Sequence, residues 1–142
     1  MAIKVSRNEV WTATIDDRAG GAADALDSLA RAKVNLEMVF ARRTPENPGK
    51  GLLIVGPIRG AKAVKAAQAA GINRSETMHG VRIEGGDMPG LGAQITRALG
   101  NAGISFRGLL ANAIGKKFVS FIALDSADDA ARAVALLKKL KA

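Results

Sequence analysis

The chain has 142 residues, 48% hydrophobic and 24% charged, with a formal net charge of +8, no cysteine and one histidine. That balance is ordinary for a globular protein. It excludes disulfides, thiolate metal sites and, within one chain, a histidine-rich metal centre. The N-terminus Met1-Ala2-Ile3-Lys4-Val5-Ser6-Arg7 lacks the apolar core of a secretory signal, and no apolar run is long enough to span a bilayer. A cytoplasmic location is therefore expected. The positive charge raises nucleic acid or another anionic partner. However, the adjacent basic pairs are only Arg42-Arg43, Lys116-Lys117 and Lys138-Lys139, the pattern of a solvated basic surface.

Ala2–Ser6 alternates apolar and polar, a short strand signal. Val10–Ile15 predicts the first main strand, with Trp11, Ala13 and Ile15 on its core face. A loop follows at Asp16-Asp17-Arg18-Ala19-Gly20-Gly21. Ala22, Ala25, Leu26 and Leu29 then recur at helical spacing, ending near Lys33. Val34–Arg43 reads as a strand, Thr44–Gly49 as a turn-rich connection, and Gly51–Pro57 as the return strand with Leu52 and Ile54 toward the core. Gly60–Ala70 predicts a helix stopped by Gly71, and Ile72–Thr77 a weak strand. The order strand, helix, strand, strand, helix, strand defines an α+β class: a ferredoxin-like βαββαβ sandwich, an antiparallel sheet with its helices on one face.

The order then begins again. Val81 and Ile83 lead to the loop Asp87-Met88-Pro89-Gly90 and a helix whose Leu91, Ile95, Leu99 and Ala102 share a face. Pro89 suits the first helical turn, Gly90 permits close backbone approach, and Gly103 is a C-terminal stop. Ile104–Ile114 and Phe118–Leu124 predict a hairpin. Ser126-Ala127-Asp128-Asp129 resembles a capping box, opening a last helix with Lys141 near its C-terminal end. Asp17, Gly20, Leu29, Ala32 and Val34 stand 70 residues before Asp87, Gly90, Leu99, Ala102 and Ile104. Two tandem domains are expected, 1–77 with the extra strand at 2–6, and 78–142 without a final strand. We expect Ala2–Ser6 to cross over and fill that missing edge.

Asp87-x-Pro89-Gly90, the helix with Ile95 and Leu99, and Ala102-Gly103-Ile104-Ser105-Phe106 closely resemble the ACT domain, whose pattern is Asp-x-Pro-Gly, a helix, then Ala-Gly-Ile-Asn-Ile. The resemblance is strong in the second copy and moderate in the first. Ala19 replaces the proline, Ala22 and Gly92 stand where leucine is usual, and Ser105 stands where Asn35 keeps the asparagine. The resemblance implies a stand-alone regulatory module, without catalysis or cofactor, that binds an amino acid or similar small zwitterion where ACT units meet.

The residues suited to that task lie around the two strand-to-helix loops: Asp87, Met88, Pro89, Gly90, Leu91 and Ser105 in one copy, and Asp17, Arg18, Gly20 and Asn35 in the other. Backbone N–H groups near Gly90 and Leu91 would hold a carboxylate, Asp87 or Asp17 an ammonium, and Asn35 or Ser105 a polar end. The same residues also admit a purely structural reading, with Asp87 satisfying loop amides, Pro89 starting the helix and Gly90 turning the chain. Trp11 reads as core and His79 as a solvent-facing polar residue.

Val39, Leu53, Val55, Leu109, Phe118 and Ile122 are expected on the sheet's outer face, where their apolar character implies a homodimer. Two alternatives stand beside the sensor: an adaptor that regulates a partner enzyme by contact without ligand, and a basic nucleic-acid binder. The second is disfavoured because Gly51–Val55 offers no aromatic residue for base stacking, and Phe118 and Phe121 point to opposite faces. No nucleophile–base pair, phosphate loop or convergent carboxylate pair suggests an enzyme, and no segment suggests a membrane partner.

Overall fold

A computed structural model of the chain describes residues 3–140; the expectations on Ala2 and Lys141 lie outside the described residues. The elements are β1 (Lys4–Asp16), α1 (Gly21–Arg31), β2 (Met38–Arg43), β3 (Lys50–Gly56), α2 (Ala61–Ala69), β4 (Asn73–Gly86), α3 (Leu91–Asn101), β5 (Phe106–Ile114), β6 (Lys117–Leu124) and α4 (Ala127–Leu137). They form two compact units. The first is Glu9–Ser75; the second joins the described residues up to Asn8 with those from Glu76 onward. β1 and β4 are single long strands where the sequence suggests two short ones each, and both contribute to both units.

Each unit is an antiparallel four-stranded sheet with two helices, the tandem ferredoxin-like arrangement. In the first unit the strand order is β2–β3–β1–β4, and α1 packs beside α2. Its core gathers Trp11, Ala13, Leu29, Leu53, Val55 and Ile72. In the second the order is β1–β4–β6–β5, with α3 beside α4. Val5 on β1 is buried there with Val81, Ile83, Leu99, Ile122 and Leu137. The N-terminal strand thus supplies an apolar side chain to the second unit. Each fully buried leucine or isoleucine contributes about 2 kcal/mol by leaving water.

The register corrects one reading of the sequence. Trp11 pairs with Val55 and Ala13 with Leu53, so Leu53 and Val55, both 0% exposed, face the helices. Leu52 and Ile54 face the other way and are half-buried. Val39 shares the helix side through its pairing with Val55, and Ile122 and Leu109 do so through Val81. The six residues expected on the outer face therefore share a face, but it is the inner one. Gly51-Leu52-Leu53-Ile54-Val55 is apolar at almost every position, so its alternation carries no parity signal; the pairing with β1 decides it.

Helix ends follow local chemistry. Gly20 (φ 85°) and Gly90 (φ 86°) precede α1 and α3 in the left-handed conformation, which costs a side chain about 1–2 kcal/mol. Gly90 is thus needed for its dihedral angle, since a Cβ there would meet nothing within 4 Å. Pro89 lies in the turn before α3 and not in its first turn. At α4 the Ser126 hydroxyl accepts from the Asp129 N–H at 3.0 Å, the predicted cap.

Ser120 is 1% exposed on β6 opposite Ile83, and its hydroxyl has no hydrogen-bond partner. A buried unpaired hydroxyl is costly. Ser120→Ala is therefore expected to raise stability by about 1 kcal/mol in urea denaturation. A loss of stability would show that the hydroxyl is satisfied.

Candidate functional site

The end of β1 in the first unit carries an open cavity of about 340 Å³. Its floor is apolar: Ile15 with the small residues Ala22, Ala41 and Gly51. Its rim is charged in both signs, with Asp16 and Asp17 against Arg18, Arg42 and Arg43. Antiparallel pairing assembles it, because Ile15 and Arg43 both lie opposite Gly51. The Asp17 N–H donates to the Gly49 carbonyl at 3.0 Å, fixing the loop against the hairpin.

The rim charges are paired, with one another or with neighbours just outside the cavity. Arg43 Nε donates to Asp17 Oδ2 at 2.7 Å, and Lys50 Nζ to Asp16 Oδ1 at 2.7 Å. Arg18 bonds Asp24, and its Nε lies 3.9 Å from Asp16. These pairs are exposed, a class worth about 0–1 kcal/mol each. They can therefore be exchanged for ligand charges at little cost. Helix geometry leaves the N–H groups of Ala22 and Ala23 without intrahelical acceptors, and no side chain caps α1. The Gly21 N–H is already used, donating to the Arg18 carbonyl at 3.0 Å.

The hydrogen bond from Lys50, its charge, and a lesser contribution from Arg18 hold Asp16 below the ordinary carboxylate range, against a small opposing effect of burial. Arg82 does the same for Glu84 in the second unit. For a carboxylate whose folded value is depressed, the stabilisation is complete above the ordinary value. It is lost as pH falls through the depressed one. Stability is therefore expected to be flat from about pH 7 to pH 5 and to fall below about pH 4. Lys50→Ala should reduce that acid sensitivity in thermal melts; an unchanged profile would place the linkage elsewhere.

The sequence-predicted residues fall into separate groups. Asp17 and Arg18 line the cavity, and Gly20 turns the chain beside it. Asp87, Met88, Pro89 and Gly90 form the exposed matching loop of the second unit, where the Asp87 N–H donates to the Lys116 carbonyl at 2.8 Å. Leu91 is 1% exposed and belongs to the core, with its N–H turned to the Met88 carbonyl. Asn35 and Ser105 are exposed and precede β2 and β5. Met38 begins β2 opposite Gly56, whereas Arg43 ends it opposite Gly51 beside Ile15. Asn35 thus lies at the far end of a six-residue strand from Asp17, about 20 Å away. Ser105 is displaced likewise, since Phe106 pairs with Leu124 while Gly86 pairs with Lys117. Within a unit neither residue joins its loop.

Arg42, Arg43 and the small residues of the floor went unrecognised in the sequence. The signal for them was the adjacent basic pair at the end of a strand running parallel to β1. Phe121, half-buried on the outer side, lies under the Arg82 guanidinium at 5.8 Å, while Phe118 is in the core. The two rings do not form a stacking platform. Among the described residues, no group of three or more His, Cys, Asp or Glu is placed to hold a metal ion, and no helix is long and apolar enough to cross a membrane.

The two αL glycines, the two loop-to-hairpin bonds and the repeated order of strands and helices define a tandem ferredoxin-like fold. Solved structures share it. A protein from Bacteroides thetaiotaomicron matches with a TM-score of 0.76 at 18% identity, over 94% of this chain and 90% of that one. The aspartokinase alpha and beta subunits match at 0.64 and 19%, over 98% and 96%. The ligand-free regulatory subunit of aspartate kinase from Thermus thermophilus matches at 0.61 and 19%, over 95% of each chain. No family model matches the sequence, and no curated protein does.

Proposed function

We propose that the chain is a non-catalytic regulatory module, with one ACT-type domain in each compact unit, that senses an amino acid or similar small zwitterion beside a strand-to-helix loop. The observation that carries this reading is the first-unit cavity, where acidic and basic side chains ring an apolar floor. Asp17 would hold the ammonium. Arg43, released from Asp17, and the free N–H groups at the start of α1 would hold the carboxylate. The likeness to regulatory subunits of aspartate kinase supports a regulatory role at the level of fold. The regulated partner would be an enzyme, and the setting cytoplasmic.

The module is proposed to work as a homodimer. Of the residues first expected to mediate this, Leu53, Val55, Phe118 and Ile122 are buried in the cores. Support instead comes from apolar side chains still exposed on the outer strands, among them Val39 (49%) on β2 and Ile114 (72%) on β5. Light scattering should give twice the 14.7 kDa chain mass; a monomer at micromolar concentration would exclude the dimer.

A thermal-shift screen against the twenty amino acids tests the sensing reading. A ligand at a hundred times its Kd adds about 2.7 kcal/mol and should raise the melting temperature by several degrees. No shift with any of them would contradict the proposal.

A further inference from the structure

We infer that ligand binding is confined to the first unit, at one site per chain, and that the site takes an amino acid with an aliphatic side chain; this rests on the sensing reading above. The two units can be compared rung by rung. Ile15 pairs with Gly51 in the first, and Gly85 pairs with Phe118 at the matching rung of the second. Position 21 is glycine at the start of α1, and its counterpart at the start of α3 is Leu91. Phe118 is 7% and Leu91 1% exposed, both in the second core. At the positions that line the cavity, the second unit puts Phe118 where the first has Gly51, with Gly85 and Gly92 in place of Ile15 and Ala22. Phe118 thus stands where Gly51 leaves the end of β1 open.

The rim differs in the same direction. Asp16 is matched by Gly86, and Arg18 by Met88. Arg42 and Arg43, opposite Leu52 and Gly51, are matched by Asn112 and Ala113, opposite Val119 and Phe118. Only the aspartate at 17 and 87 is common to both. The copy with the better-preserved loop motif has therefore lost both the opening and the charges. The first copy, with the worn motif, keeps them. Charge selects a zwitterionic head at the rim. The floor offers no polar side chain, so an ionised ligand side chain would lie there unpaired, at a cost of several-fold or more in affinity.

Isothermal titration of the full chain with L-valine, L-leucine, L-isoleucine, L-aspartate and L-lysine tests this. An aliphatic probe should bind one per chain, at least tenfold tighter than aspartate or lysine. Ala22→Leu and Ala41→Leu, which fill the cavity from a helix and from a strand, should each weaken it at least tenfold. Gly92→Leu, at the position matching Ala22 where a Cβ would meet nothing within 4 Å, should leave it unchanged. Circular dichroism melts confirm that each variant is folded. Two sites per chain, loss of binding in Gly92→Leu with retention in both filling variants, or preference for a charged side chain would overturn the inference while leaving a sensing function intact. If none of the twenty amino acids binds the wild type, the sensing reading falls and the inference with it.

Discussion

Gly21→Ala is expected to destabilise the protein by about 3 kcal/mol, far more than an alanine in a first helical turn would ordinarily cost. A Cβ at this position would sit 2.1 Å from the Asp16 carbonyl oxygen and 3.2 Å from its carbon. The obstacle is backbone at the end of β1, so no rotamer change can relieve it. Either the start of α1 or the loop through Asp17 must move. Both border the cavity, so the variant should also lose ligand response. The check is a urea melt, in which the midpoint falls while the slope stays constant. A loss below about 1 kcal/mol would mean that α1 is not seated against β1 as described.

The second large effect is of opposite chemical sense at the matching position. Leu91→Ala is expected to cost about 3 kcal/mol, within the range for deleting a fully buried leucine. Leu91 is 1% exposed and packs in the cluster with Ile95, Leu99 and Phe118. Its removal leaves a void in that cluster, and the surrounding sheet and helix close only part of it. Adding one carbon at position 21 and removing three at position 91 are thus both disruptive. One duplicated turn serves as a close backbone contact in one unit and as a core anchor in the other. A Leu91→Ala protein as stable as wild type would show that Leu91 is not packed in the second core as described.

Much of the fold was legible because the repeat is punctuated by residues with one conformational use. Gly20 and Gly90 hold nearly the same left-handed angles, and Gly71 and Gly103 follow α2 and α3 with φ of 78° and 73°. These positions, with helical periodicity at Leu91, Ile95 and Leu99, locate the elements without any long-range information. What was not legible depended on pairing. The uniformly apolar β3 gave no parity, so its inner and outer faces were exchanged. β1 read as broken because Arg7, Asn8 and Glu9 interrupt the apolar alternation where the strand leaves one unit for the other, and β4 because Met78, His79 and Gly80 separate Ile72–Thr77 from Val81 and Ile83.

The candidate site was half legible for the same reason. Asp17, Arg18 and Gly20 are local to one loop and were found by motif. Arg42, Arg43 and Gly51 reach the cavity only through the register of β2 and β3. Asn35 and Ser105 were misplaced because a motif read along the chain ignores which end of a strand it occupies. The resemblance is stronger in the second copy, since it scores residue identity, and it leaves open which copy binds. It does not register the exchange of Gly51 for Phe118 or the loss of the arginines at 42 and 43.

The most direct test of the account is backbone amide NMR of the full chain titrated with L-leucine. The account predicts saturable shifts at Asp17, Gly20, Ala22 and Arg43, with Asp87, Gly90, Gly92 and Ala113 unmoved. Shifts centred on Gly90 and Gly92, with the first loop silent, would contradict it.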